Sequence, residues 1–426
     1  MSYWNNVAPI PLVPVRPEAE LPARGSLSRK EYSRLLREEH GVLPGTPAYM
    51  QMAAEFMPLA VEIGHVIETK EKIGWWPGNE INQSFSISGV SGGGKTEGVK
   101  KIVSELLLQA MPVLVIDFHG DIKVPYLNDV LISSGSASVF GLNPLSIERL
   151  DPRKKGLYEH REAAVSMLKR AVPALSAKQR FLLSNALETA YVTVGIEDHN
   201  PLTWGLQAPT FAHVASILDA WMRDPSYKAY RESIAGCLAS LGAIFGHPVF
   251  NRAYNLSISS ILGGAVRLDL SQLDERIQVI VAETVLRMVF NALQAMGPIP
   301  NTARSAAERV RLFVVIDETK ILSMGNGDPD KRSNMLNVIG TEGRKYGMPG
   351  CFASQSTDHF GADLRRNISS RLALRCMDDA EAKRLAAEMR VPASELRALS
   401  MPGEGYFCPG SAHSAVHIQI EPLEET

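Results

Sequence analysis

At 426 residues the chain has room for two or three domains, or for one large domain carrying an insertion. An apolar fraction of 45% and a charged fraction of 21% are those of an ordinary globular protein, and a net charge of −2 excludes a global positive field, so a polyanion would have to be met by a local basic strip. Cys237, Cys351, Cys376 and Cys408 lack zinc-ligand spacing, Met1–Pro22 holds no apolar run of the secretory kind, and no apolar stretch nears the roughly 18 residues of a bilayer span, which together predict a cytoplasmic protein with reduced thiols and no membrane of its own.

Residues 1–25 carry Pro9, Pro11, Pro14, Pro17 and Pro22, a composition that favours an extended arm. Ser28 and Glu31 have capping-box spacing, with Leu27 and Tyr32 as a staple and Gly41 as a stop, and Thr46-Pro47 opens a second helix. Residues 1–80 therefore read as a Pro-rich arm and a small helical region. From Ser84 the texture becomes apolar strands alternating with helices, the pattern of an α/β sheet. Ser84–Ser88 and Pro112–Asp117 are strands, and between them Val99, Ile102, Val103, Leu106 and Leu107 lie on one helix face. Helical patterns over Tyr158–Ala171, Ala177–Val194, Phe211–Trp221 and Tyr227–Phe245 make 151–258 an all-helical insertion. Sheet texture returns at Ala265–Leu270, followed by a long helix over Glu275–Met296. Arg311–Asp317, Gly350–Ser354 and Leu372–Cys376 supply further strands, and Gly405–Phe407 with Ala415–Ile420 a closing hairpin. The expected fold is α/β, a P-loop core of mostly parallel sheet over 81–150 and 259–426.

Gly89-Val90-Ser91-Gly92-Gly93-Gly94-Lys95-Thr96 fits G-x-x-x-x-G-K-[ST], after a strand and at the start of a helix, with Glu97 next in line. Glycines let backbone N–H groups turn inward around phosphate oxygens, and the helix N-terminus adds positive partial charge. Lys95 would reach the β- and γ-phosphates of ATP, and the Thr96 hydroxyl would ligate Mg²⁺.

Asp317-Glu318 ends the apolar run Leu312–Ile316. Asp317 there suits the Mg²⁺ shell, and Glu318, one residue on, suits a general base that polarises water against the γ-phosphate. Such a pair favours hydrolysis over transfer to a small acceptor, as in a P-loop kinase. Asp117-Phe-His119-Gly120 fits the D-x-x-G loop of GTPases, yet the chain has no N-K-x-D to read guanine. ATP is the expected nucleotide.

The ordered set GVSGGGKTEGVK, VLVIDFHGD, FGLNPL (140–145), AVRLDLSQL (265–273), VVIDE, EGRKYG (342–347), ASQS (353–356) and PGEGYF (402–407) resembles the HerA/FtsK superfamily of hexameric DNA-pumping ATPases, in its HerA-like branch, which has relatives among conjugative secretion ATPases. The resemblance spans about residues 80–420 and implies a RecA-like core, ATP and Mg²⁺ as ligands, a homo-oligomer, namely a hexameric ring, and double-stranded DNA as the translocated partner. It further implies that Gln355 senses the γ-phosphate and orders the attacking water, and that Arg344 is presented to a neighbouring subunit's ATP, with Lys345, Arg366 and Arg371 as rival fingers. Lys331-Arg332 are candidates for DNA phosphate contact. HerA proteins usually begin with a β-barrel, whereas this N-terminus reads as helical and Pro-rich. That departure motivates an alternative, a nucleotide-gated scaffold that assembles an effector such as a nuclease.

Overall fold

A computed structural model describes residues 61–423 except 78–79, 109–110, 137, 148–149, 151–154, 253–255, 304–305, 324–333 and 411. The Pro-rich arm, the two helices expected before residue 60 and Lys331-Arg332 lie outside the described residues.

The described strands form one eleven-stranded sheet in the order β2-β1-β11-β10-β9-β3-β8-β7-β4-β6-β5. They are β1 (Val61–Val66), β2 (Lys72–Trp75), β3 (Phe85–Ser88), β4 (Val113–Asp117), β5 (Asn128–Leu131), β6 (Ala265–Asp269), β7 (Phe313–Ile316), β8 (Gly350–Ser354), β9 (Ser370–Leu374), β10 (Glu404–Cys408) and β11 (Val416–Ile420). From β9 through β3, β8, β7, β4 and β6 to β5 all neighbours are parallel. From β9 through β10, β11 and β1 to β2 they are antiparallel. The mostly parallel α/β sheet expected from the sequence is the one observed.

The parallel strands are apolar without interruption because both faces are covered. Side chains alternate across a strand. Leu114 and Ile116 of β4, with Val314 and Ile316 of β7, enter one core with the helical insertion, and Val113, Val115, Phe313 and Val315 enter the other, under α1 (Lys95–Leu108). The insertion comprises α2 (Leu157–Ala171), α3 (Ala177–Thr193), α4 (Phe211–Arg223) and α5 (Arg231–Phe245), close to the expected spans. Tyr227–Tyr230 is a 3₁₀ segment started by Pro225, so α5 begins later than periodicity alone implied.

Next comes α6 (Glu275–Ala295), capped by Asp274. Its 21 residues have the length and composition of a membrane span, contrary to the expectation that no stretch approaches one, but 94% of its apolar window is buried in the fold, as in a core helix. Two further helices matter for the site, α7 (Thr319–Ser323) and α8 (Asp379–Met389).

Residues 61–75, assigned above to a helical appendage, are instead β1 and β2. VEIGHV shows little alternation, and β1 gains its place by pairing with β11, some 355 residues away, which local pattern cannot report. β5, at the opposite edge, was also missed: NDVL is exposed to half-buried and carries no strand signature.

Candidate nucleotide site

The phosphate loop leaves β3 and enters α1 through two left-handed glycines, Gly92 (φ 75°) and Gly94 (φ 99°). Only glycine takes these conformations without strain. A Cβ on Gly94 would also sit 2.5 Å from the Gly403 nitrogen. Backbone ties hold the loop on both sides. Gly89 N donates to Ser354 O of β8 (3.3 Å), Val90 N to Arg375 O just past β9 (3.0 Å), and Gly403 N to Gly93 O (3.0 Å). That Gly403 of PGEGYF abuts the loop is signalled by nothing local to those residues.

Lys95, Thr96 and Glu97 form the first turn of α1, where backbone N–H groups have no intrahelical acceptor. The Lys95 ammonium donates to Gly89 O (2.9 Å) and Val90 O (3.0 Å), which fixes it over the loop's own entrance. Burial pulls its pKa down, and the negative charges of Glu318 and Asp317 push it back up. The phosphate-loop lysine and the acid pair therefore share one electrostatic site.

Sheet order explains the convergence. β8 lies between β3 and β7; the register Ser88↔Ser354 sets Gly89 level with Gln355, and Ile316↔Phe352 ends β7 two residues earlier on the same side of the sheet. Gly89, Gln355 and Asp317 thus leave adjacent strands at one edge. Gln355 is exposed there, directly after buried Ser354. Asp317 is nearly buried, and desolvation raises its carboxyl to about 6, with Asp117, Glu318 and Asp121 adding to the rise and His119 opposing it. One oxygen of Glu318, Oε1, is buried without a hydrogen-bond partner. Thr319 Oγ1 donates to Ala353 O (2.9 Å), pinning the residue after Glu318 to β8.

A cation fits this site. Burial and neighbouring acids raise the Asp317 carboxyl, which added positive charge would relieve, and Glu318 Oε1 is a buried acceptor without a partner. Asp317 and Thr96 are the residues that would hold Mg²⁺.

Asp117, read above against a GTPase motif, is occupied otherwise. Its Oδ1 accepts from the N–H groups of His119 (3.2 Å), Gly120 (2.7 Å) and Asp121 (3.3 Å), and its Oδ2 from Ile122 N (2.9 Å). Oδ2 also pairs with Arg267 Nε (2.8 Å). Arg267, 1% exposed in the middle of β6, reaches Asp129 (2.8 Å) and Asp269 (2.9 Å) as well. Burial opposes the guanidinium's charge, and the bonds to Asp117 and Asp129 more than restore it. Asp117 is the keystone of its own loop, with no oxygen left over for a nucleotide.

Arg344 and Lys345 are exposed on the short helix Arg344–Tyr346, beside Gly347, whose carbonyl accepts from Arg311 and Leu312 ahead of β7. This is the end of the parallel strands opposite the phosphate loop, so neither cation reaches its own chain's site. Arg371 is held by Glu388 (3.0 Å) and the carbonyl of Arg365 (2.9 Å), and Arg366 is exposed.

Residues 61–289 match the family model for the central domain of helicase HerA. No curated protein sequence matches the chain. Among solved structures, VirB4 of Thermoanaerobacter pseudethanolicus is similar at a TM-score of 0.65 with 17% identity, covering 85% of this chain and 96% of that one. The bacterial conjugative coupling protein TrwB is similar at 0.59 and 13%, covering 88% and 91%. TrwB in complex with ADP and Mg²⁺ gives 0.55 and 14%, covering 80% and 86%.

Proposed function

The chain belongs to the helicase HerA central-domain family, a group of HerA-like and conjugation-type ATPase motors, and from that premise we propose that it hydrolyses ATP where the phosphate loop meets Asp317 and Glu318. The observation that carries this reading is that the phosphate loop and Asp317-Glu318 leave the same ends of β3 and β7, which flank β8. Loop amides and Lys95 grip the phosphates. Thr96, and Asp317 through water, would hold Mg²⁺, which would supply charge that neutralises the phosphate oxygens. Glu318, with its unpartnered oxygen, takes a proton from water, and the Gln355 amide fixes that water's direction. The similarity to a coupling protein solved with ADP and Mg²⁺ supports this choice of ligands.

The motor reading extends to a homohexameric ring drawing double-stranded DNA. Arg344 is compatible with the ring: it is exposed at the sheet's far end from its own loop, so a finger role would have to be played toward a neighbour's ATP. The test is ATP turnover with and without duplex DNA, alongside particle mass in solution. Wild type should turn over faster with duplex and assemble as a ring. Lys95→Ala and Glu318→Gln should each lose about 100-fold or more in turnover, the second still binding ATP. A monomer whose turnover ignores DNA overturns the motor; full activity in Glu318→Gln overturns the site.

A further inference from the structure

The turn that carries Gln355 is clamped from the side by a buried acid. Glu381, in the first turn of α8, is 6% exposed, and both its oxygens are committed to this turn. Oε1 accepts from Thr357 N (2.7 Å), and Oε2 accepts from Ser356 Oγ (3.1 Å). Arg384, one helical turn on, completes the grip: its NH1 donates to Glu381 Oε2 (3.1 Å) and pairs with Asp358 (2.5 Å). The other end of the turn is closed by Ser354 Oγ and His359 Nδ1, 2.6 Å apart. Glu381 itself is set by Asp378, whose Oδ1 accepts from Glu381 N (2.8 Å) at the cap of α8.

The residues on either side of Gln355 are thus held by hydrogen bonds, while Gln355 itself is exposed at the edge where β3 and β8 end. A buried carboxylate spent on one backbone amide and one hydroxyl of a surface turn is costly to desolvate, and its return is a fixed turn geometry. Because α8 follows β9, whose next carbonyl on Arg375 holds Val90 of the phosphate loop, one segment ties both sides of the nucleotide cleft.

We propose that Glu381 is a positioning residue for hydrolysis: it fixes the Ser356–Asp358 turn so that the Gln355 amide meets the attacking water. The proposal rests on the ATPase reading of the site, and it concerns a residue outside both the phosphate loop and the Asp317-Glu318 pair, whose oxygens bond Thr357, Ser356 and Arg384. Misplacing a water-orienting amide by about 1 Å costs up to roughly 100-fold in rate.

Glu381→Gln keeps the shape and one acceptor but cannot receive from Thr357 N, Ser356 and Arg384 together. In the full chain its kcat for ATP should fall about tenfold, with the KM for ATP and the affinity for a non-hydrolysable ATP analogue within twofold of wild type. In a Gln355→Ala background the same substitution should cost less than twofold, because the residue it positions is gone. Ser356→Ala, which removes the hydroxyl's bond to Glu381 and its acceptance from Asp358 N (3.2 Å) while leaving α8 untouched, should show the same pattern at two- to threefold. Amide exchange at Thr357 should quicken about tenfold in Glu381→Gln and stay unchanged in the phosphate loop. A tenfold kcat loss that persists without Gln355, or a loss of analogue affinity matching the loss of rate, overturns the proposal. So does unchanged exchange at Thr357. If wild type shows no turnover, the ATPase reading fails and the exchange measurement alone decides whether the clamp exists. Should Glu381→Gln fail to fold, Ser356→Ala decides by the same three readouts.

Discussion

Asp117 and Asp317 end neighbouring parallel strands, β4 and β7, one step beyond the paired residues Ile116 and Ile316. Each follows a buried apolar run, and each begins a loop at the same edge of the sheet. Their surroundings are opposite. Asp117 accepts four backbone amides and a buried guanidinium, so its charge is answered entirely by its own chain. Asp317 has no cation paired with it among the described ion pairs and is pushed up to about 6 by burial and by neighbouring acids. A saturated carboxylate builds structure; an unanswered one waits for a ligand. The two halves of the strand edge divide accordingly, a braced region at β4, β6 and β5 and a receptive one at β3, β8 and β7.

The largest effect that sharpens this contrast is on turnover. Asp317→Asn should reduce ATP turnover at saturating nucleotide by about 100-fold or more, since the side chain that would hold Mg²⁺ loses its charge. Steady-state ATPase assays over a Mg²⁺ titration check it; activity recovered at high Mg²⁺ would show a weakened site, and activity unchanged throughout would remove Asp317 from it. The braced region should fail differently. Arg267→Leu leaves Asp117 buried without its counter-ion and Asp269 without its partner, and should destabilise the fold by about 3–5 kcal/mol. Urea unfolding measures this, and a loss under 1 kcal/mol would mean that the backbone amides hold Asp117 unaided.

Much of the receptive region was legible because its chemistry is written locally. The phosphate loop is one contiguous segment between a strand and a helix, Asp317-Glu318 sits at the end of an apolar run, and Gln355 follows another. The brace was illegible because it is assembled across chain distance. Arg267 sits inside the apolar string AVRLDL, where an arginine says nothing about three carboxylates contributed by β4, β5 and β6. Glu381 looks like one acid among several at a helix start, and only the fold reveals that its oxygens point at Ser356 and Thr357. β1 and β2 failed for the same reason: their pairing partner β11 lies at the other end of the chain. The helices of the insertion, whose contacts are mostly between consecutive helices, match the expected spans to within two residues except at the start of α5.

The smallest effect tests the contrast most directly, because the two aspartates should answer the same substitution with opposite signs. Asp317 has a folded-state pKa of about 6, above its ordinary 3.8. Between those values the folded protein holds a proton that the unfolded chain has released, so this group's contribution favours the fold at low pH and is lost as pH rises through about 6. At pH 8, without nucleotide or Mg²⁺, the ionised group opposes folding by an amount on the order of 1–3 kcal/mol. Asp317→Asn should therefore raise the midpoint of thermal unfolding at pH 8 by roughly 2–6 °C and have little effect at pH 4. Asp117→Asn trades acceptors for an amide that cannot receive four N–H bonds and a guanidinium together, and should lower the midpoint at pH 8. Thermal scans of both variants at the two pH values decide. If both substitutions destabilise at pH 8, Asp317 has a partner of its own, and the distinction between the braced and the receptive aspartate does not hold.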